Sequence, residues 1–446
     1  MLKPGILCAA LAAAGMLSTT AHGADDSDLR AQISALKAQL EKLEEQVKAL
    51  DTNVGAAPKN FALVTKGDEE GTYKLPGSQT SVGVYGFIHV DAYKDLKGRT
   101  ADWAFEPGTI AIANDPSGLN KDTRTGKFNI TPRVTRLGVK THTPTDMGTL
   151  RTKLEFDFYE YGDNDYKMGY NSGFNPRLRH AYGELEAEWG TLLVGQTWST
   201  FMNDAAPETV DFNGPGSVQI QRQPMIRLSR EFGGAGTFAV ALENSASMVN
   251  GERPQTQNSI DKRPDVILSW TKSGDLGFLA ANLLSTRYTY DDGANSAAKN
   301  AYGYSVGAGL KLGKQDTLLA LHTGGNGIAR YLPSANYNWE VYDTAADRIR
   351  LSKARAYTLG WARNWTDAVR SNLSYGETRL DVSSSYLATY GEEAANTRIR
   401  HAFANVFWAF TQNTELGLEY AWARRELSSG DEGTYRRLQG SMRYTF

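Results

Sequence analysis

The chain has 446 residues, 41% of them hydrophobic and 22% charged, with a formal net charge of −2. That balance excludes the basic domain or stripe that nucleic-acid binding needs, and the body of the chain holds no apolar run long enough for a membrane-spanning helix. The 44 glycines and 22 tyrosines stand out, because a closed barrel uses glycine where strands bend and aromatic rings at the two membrane interfaces.

In chain order, the first predicted element is a secretory leader over residues 1–23. Lys3 precedes an apolar run from Ile6 to Leu17, and the small-residue site Ala21-His22-Gly23 stands just before Ala24. The run is too short to span a bilayer. Cleavage after Gly23 removes the sole cysteine, Cys8, so no thiol remains to misoxidise outside the cytoplasm.

Residues 24–51 read as a periplasmic coiled coil. Leu29, Ile33, Leu36, Leu40, Leu43, Val47 and Leu50 recur at spacings of four and three among Lys, Glu and Gln, the seam of three heptads. So short a helix is marginal alone, and it is expected to assemble where barrels already hold the chains together. Its branched a positions with leucine at d lean toward a dimer; the homotrimer expected here follows from the barrel class instead. Residues 52–80, rich in Gly, Ala, Pro, Lys and Asp, read as an extended linker.

From residue 81 to 446 period-two alternation returns repeatedly. Tyr302, Tyr304, Val306, Ala308, Leu310 and Leu312 alternate with Gly303, Ser305, Gly307, Gly309 and Lys311; Leu438, Gly440, Met442, Tyr444 and Phe446 alternate with Arg437, Gln439, Ser441, Arg443 and Thr445. Polar and charged residues facing a hydrophobic core are costly. Facing a water-filled lumen they cost little, and the apolar row can meet lipid. The expected fold class is therefore all-β, a sixteen-stranded antiparallel transmembrane β-barrel preceded by a short coiled-coil helix. Strands are predicted near 81–92, 128–141, 148–161, 176–189, 190–199, 218–230, 236–247, 263–271, 276–288, 301–312, 316–323, 353–365, 367–379, 398–411, 414–425 and 434–446. Short turns, such as Gly313 to Asp316 and Thr411 to Thr414, alternate with long polar loops, the asymmetry of an outer-membrane barrel. A final Phe446 closing an alternating strand is similar to the signal that selects such barrels for insertion.

No catalytic or metal constellation is legible: His89, His142, His180, His322 and His401 are scattered, and no nucleophile elbow or phosphate loop occurs. No cofactor is expected. The chemistry is then the lining of a pore. Strand parity aims Arg136, Lys140, Arg151, Lys153, Arg177, Arg179 and Arg227 away from lipid, and a cluster of guanidinium forks in a narrow lumen attracts carboxylates. Glu415, Glu419, Glu243 and Asp91 share that parity, so a lumen with mixed charge that only organises water is the bland alternative. Thr200 to Ser217 is the third long loop. By resemblance to sixteen-stranded porins, in which that loop folds inward, Asn203, Asp204, Glu208 and Asp211 are the expected constriction residues opposing the arginines; an ordinary exposed loop is the alternative. For some of these arginines the alternative expectation is a partner outside the pore, lipopolysaccharide or the trimer neighbour.

The Tyr73-Lys74-Leu75-Pro76-Gly77-Ser78 lead-in, the Val84-Tyr85-Gly86-Phe87-Ile88 strand and the stretch from Phe174-Asn175-Pro176-Arg177-Leu178-Arg179-His180 through Gly195-Gln196-Thr197-Trp198-Ser199-Thr200-Phe201 together resemble DcaP-like porins. The resemblance implies a homotrimer of sixteen-stranded barrels in the bacterial outer membrane that passes small organic anions, dicarboxylates foremost, with Arg177 and Arg179 in the matching stretch. The competing reading is a structural anchor that ties the outer membrane to the periplasm or cell wall through its coiled coil; an outer-membrane enzyme is disfavoured by the missing catalytic cluster.

Overall fold

Alternating apolar and polar residues carry the chain into sixteen antiparallel strands: β1 (Ser81–Lys97), β2 (Arg136–Thr145), β3 (Gly148–Glu160), β4 (Asn175–Ala187), β5 (Gly190–Trp198), β6 (Arg222–Glu231), β7 (Thr237–Glu243), β8 (Asp265–Gly274), β9 (Gly277–Asp291), β10 (Ser296–Leu312), β11 (Asp316–Asn326), β12 (Lys353–Asn364), β13 (Val369–Asp381), β14 (Asn396–Ala409), β15 (Thr414–Leu427) and β16 (Glu432–Thr445). Each pairs with the next. β1 also pairs with β16, with Ile88 opposite Tyr444 and Asp95 opposite Arg437, so the sheet closes and leaves no free edge. A four-residue piece, Phe128–Thr131, pairs with β1 beyond β2.

The computed structural model describes residues 31, 34–45, 48, 65–98, 100, 105–112, 126–160, 175–246, 248–250, 258–335 and 340–446. The chain divides into two units, Met1–Leu63 and Val64–Phe446. In the first, residues 34–45 are helical and Leu36, Leu40 and Leu43 are exposed along them. The leader, the heptad positions Leu29, Ile33, Val47 and Leu50, and residues 52–64 lie outside the described residues.

Sidedness follows the sequence pattern. Leu283 is 57% exposed on β9 while its neighbour Asn282 is buried; Leu438 is exposed on β16 while Arg437 is 1% exposed and paired with Asp95 at 2.8 Å. The inner parity is nevertheless not uniformly polar, because the half of the lumen beneath the long loops is partly filled. Phe201, Ile328, Tyr331 and Leu332 pack on Ala241, Ile267, Leu284 and Ala354 of the inner wall, and Phe105 and Ile110 pack on Phe403, Ala421 and Tyr435. Small inward residues leave the room that these loop side chains occupy.

Residues 65–80, expected as linker, carry structure. Lys66 bridges to Tyr73, and Tyr73–Lys74 pairs with the start of β1. Asp68 contacts Lys74 at 2.9 Å and His142 at 3.6 Å, while Glu69 reaches Arg151 at 3.1 Å and Lys140 at 3.7 Å. The Lys74 ammonium holds the Asp68 carboxyl below the usual carboxylate range, and Arg151 does the same for Glu69. Opposite charges thus fasten this segment to the short-turn rim, which composition alone does not reveal.

Candidate functional site

The loop between β5 and β6, residues 199–221, runs through the lumen. It is longer than the predicted Thr200 to Ser217 because β6 begins only at Arg222. The inner wall receives the loop step by step. Glu243 on β7 accepts the Thr200 amide at 2.7 Å, and Asn282 on β9 donates to the Phe201 and Met202 carbonyls. Glycines open the next two steps: a Cβ on Gly307 would stand 2.3 Å from Asn203 Oδ1, and one on Gly360 would stand 2.0 Å from Pro207. Glu419 on β15 then accepts the amides of Val210 and Asp211 at 2.8 and 3.0 Å, and Ser217 closes the path on Thr358 and His401. The Asp211 carboxylate is itself held by the amides of Phe105 and Asn213. A buried acid accepting two adjacent backbone N–H groups fixes a loop firmly, since either group left alone costs about 1–3 kcal/mol.

Facing the loop is a wall of arginines built by register. Arg136 on β2 lies opposite Asp157 on β3, and Asp157 lies opposite Arg177 on β4. Arg177 grips Asp157 with two bonds, Nε–Oδ1 at 3.0 Å and Nη2–Oδ2 at 2.7 Å. Arg179 spans both acids, Nε to Glu155 at 2.8 Å and Nη1 to Asp157 at 2.9 Å, and Arg136 Nε stands 3.4 Å from Glu155. Aromatic faces steady the guanidinium groups as well. Arg177 lies over Tyr159 and Phe212, Arg136 over Phe87, and Arg222 over Trp198 at 4.6 Å.

Wall and loop enclose a cavity of about 430 Å³, within the size range of small-molecule sites. Five guanidinium groups line it, those of Arg136, Arg177, Arg179, Arg222 and Arg443, against the carboxylates of Glu208 and Asp211. On the loop side Glu208 is bound by Arg370 at 2.9 and 3.0 Å, and Glu415 bridges Arg370 and Arg443 at 2.5 Å each. Arg222 Nη1, like Arg136 Nε, is buried with no hydrogen-bond partner among the described residues, but Arg136 has Glu155 nearby while Arg222 forms no ion pair among those residues.

Of the residues chosen from sequence, Arg136, Arg177, Arg179, Glu208 and Asp211 meet at this cavity. Lys153 sits nearer the short-turn end, 3.6 Å from Glu155 and over the Tyr85 ring. Lys140 and Arg151 lie at the rim, engaged by Glu69. Arg227 stands opposite Leu193 and does not line the cavity. Asn203 packs against the Gly307 wall, and neither it nor the exposed Asp204 lines this cavity. The sequence reading passed over Arg222, Arg370 and Arg443. Arg443 already stood on the inward parity of the last strand. Arg222 shares parity with lipid-facing Ile226 and Leu228, and it reaches the cavity because it is the first residue of its strand, where the chain is still leaving the lumen.

The family model for the DcaP outer membrane protein matches residues 14–446. Among solved structures, the outer membrane channel DcaP of Acinetobacter baumannii aligns at 23% identity with a TM-score of 0.68, over 82% of this chain and 97% of that one. OmpF of Salmonella typhi, solved with daunomycin, aligns at 13% identity and TM-score 0.53 over 82% and 98%. The trimer form of OmpT from Vibrio cholerae gives 10% and 0.50 over 83% and 100%. No curated protein sequence matches significantly. These structural likenesses share the sixteen-stranded fold, and the family match spans the barrel and its loops: the chain belongs to the DcaP outer membrane protein family and is an outer-membrane β-barrel.

Proposed function

We propose that this barrel is a passive channel for small hydrophilic solutes that prefers organic anions, dicarboxylates foremost, and that it works as a homotrimer. The observation that carries the reading is the cavity where five guanidinium groups meet two carboxylates, with a buried Arg222 nitrogen unpaired among the described residues. A carboxylate entering there gains a charge-assisted partner for a group already desolvated, which is the strongest hydrogen-bonding situation available to it. Arg136 and Arg443 share the same lining and are the candidates to meet a second carboxylate. The arginines alternate with fixed acids, so an anion is held by several weak steps and released again, as conduction requires.

The trimer form recorded for the Vibrio cholerae protein supports the homotrimer, and residues 1–23 and 24–51 are assigned as leader and periplasmic coiled coil on their sequence patterns. A purely structural anchor has no use for a desolvated guanidinium in its lumen. The test is solute uptake by liposomes carrying the full-length barrel. Succinate is expected to enter faster than a neutral solute of the same size and faster than a diamine. Equal rates for all three contradict the selectivity, and no uptake of any contradicts the channel.

A further inference from the structure

The outer face of the last five strands carries charge where a lipid-facing wall normally does not. Arg355, Arg379, Arg398, Arg400, Arg424 and Arg436 share parity with lipid-facing Leu359, Leu373, Val406, Leu418 and Leu438, and all six sit toward the long-loop ends of β12 to β16. Register sets like charges side by side: Arg355 opposite Arg379, Arg379 opposite Arg398, and Arg400 opposite Arg424. Like charges directly opposite are destabilising, so the arrangement calls for anions. Four carboxylates supply part of them. Glu377 binds Arg379 and Arg398 at 2.5 and 2.8 Å, Arg355 stands 3.5 Å from Asp381, Arg400 pairs with Glu426, and Arg424 pairs with Glu432. Positive charge remains in excess, and the Nε atoms of Arg398, Arg400 and Arg424 are buried without hydrogen-bond partners among the described residues.

Directly beneath Arg400 the same face holds an apolar groove of about 410 Å³. Its floor is Ala402 and Ala404 on β14, and its walls are Tyr375 and Leu373 on one side and Trp422 and Tyr420 on the other, each wall residue directly across the ladder from an alanine. Strands are spaced about 4.8 Å apart, so the tall rows leave a channel about one hydrocarbon chain wide. A basic cluster above a chain-wide apolar groove, at the level of an aromatic girdle, matches an amphiphile with an anionic head and a fatty tail.

We propose that this surface binds one phosphorylated, acylated glycolipid of the outer leaflet, of the lipopolysaccharide type, with a phosphate against Arg398, Arg400 and Arg424 and one acyl chain in the groove. The inference rests on the outer-membrane placement of the barrel and not on what passes through its lumen. The test uses the full-length barrel in detergent, stripped of lipid and offered diphosphoryl lipid A, the same lipid without phosphates, or inorganic phosphate, with bound lipid per chain counted by native mass spectrometry. Wild type is expected to retain one diphosphoryl lipid per chain. Retention should fall about tenfold for each of R398Q and R400Q, substitutions that leave Glu377 paired with Arg379 and Glu426 beside Arg424. A402W keeps every arginine but fills the groove, and is expected to lose the lipid too. Channel conductance should stay unchanged in all three variants. Retention that ignores the phosphates, or that survives the arginine variants and A402W alike, overturns the proposal. So does inorganic phosphate that competes as well as lipid, or a loss of oligomer with lipid retention intact, which makes the face a contact between copies.

Discussion

Arg177 and Arg179 are positioned cations more than free ones. Asp157 and Glu155 hold them in fixed forks, and rings of Tyr159, Trp198 and Phe212 back them. Such groups can attract an anion without collapsing onto it, because their strongest partners are already bound. Arg222 has the aromatic support of Trp198 but no such acid among the described residues, which makes it the guanidinium with most to gain from a passing carboxylate. Replacing Arg222 with Gln removes at least about 1 kcal/mol of attraction, the contact value in water and so a floor for a desolvated group, and the anion-to-cation permeability ratio should drop at least roughly fivefold. Zero-current potentials of the variant and wild type check this; an unchanged ratio removes Arg222 from the selective set. Arg177 and Arg179 were legible from strand parity alone. Arg222 was not, because parity applies inside a strand and this residue stands at the point where one begins.

Elements were read well where alternation is long and poorly where loops fold back. Fifteen strands lie within about five residues of their predicted spans, since a one-residue slip would turn leucine rows such as Leu279 and Leu283 into the lumen; the second, predicted at 128–141, is instead broken into Phe128–Thr131 and a barrel strand that starts only at Arg136. The inward course of the third long loop could be expected from the barrel class, but its anchors, Glu243, Glu419, Gly307 and Gly360, belong to distant strands and appear only once those strands are neighbours. The long loops also hold a titrating element. Glu340 is buried beside the bridge it forms with Val249, accepting the Ser352 amide at 2.6 Å, and burial pushes its carboxyl from 4.5 up to about 8. Between those values an opened loop ionises while the packed one stays neutral, so the packing is fully favoured below the ordinary value and weakens as pH rises through the window. Amide exchange at Ser352, corrected for its intrinsic pH dependence, should accelerate from pH 5 to pH 8 in wild type, on the order of tenfold or more. Glu340→Gln should flatten that rise, and a wild-type profile that is flat already contradicts the assignment.

At the scale of the molecule, one distribution accounts for both stability and transport. Exposed leucine, valine and aromatic rows face outward, and the inner face holds ion pairs, loop anchors and the arginine cavity. Leu283 sits near the middle of β9 on the outer face. Leu283→Arg should therefore cost about 2–4 kcal/mol of folding stability in vesicles, the penalty for a cation at the bilayer midplane. Denaturant titration in lipid measures it, and a neutral result would place Leu283 in water. The central claim concerns the sign of the ions that the lumen favours. Its most direct measurement is the zero-current potential of the full-length barrel in a planar bilayer under a gradient of potassium chloride. The account predicts a potential of the sign set by chloride, growing more so when succinate replaces chloride; a potential set by potassium contradicts it.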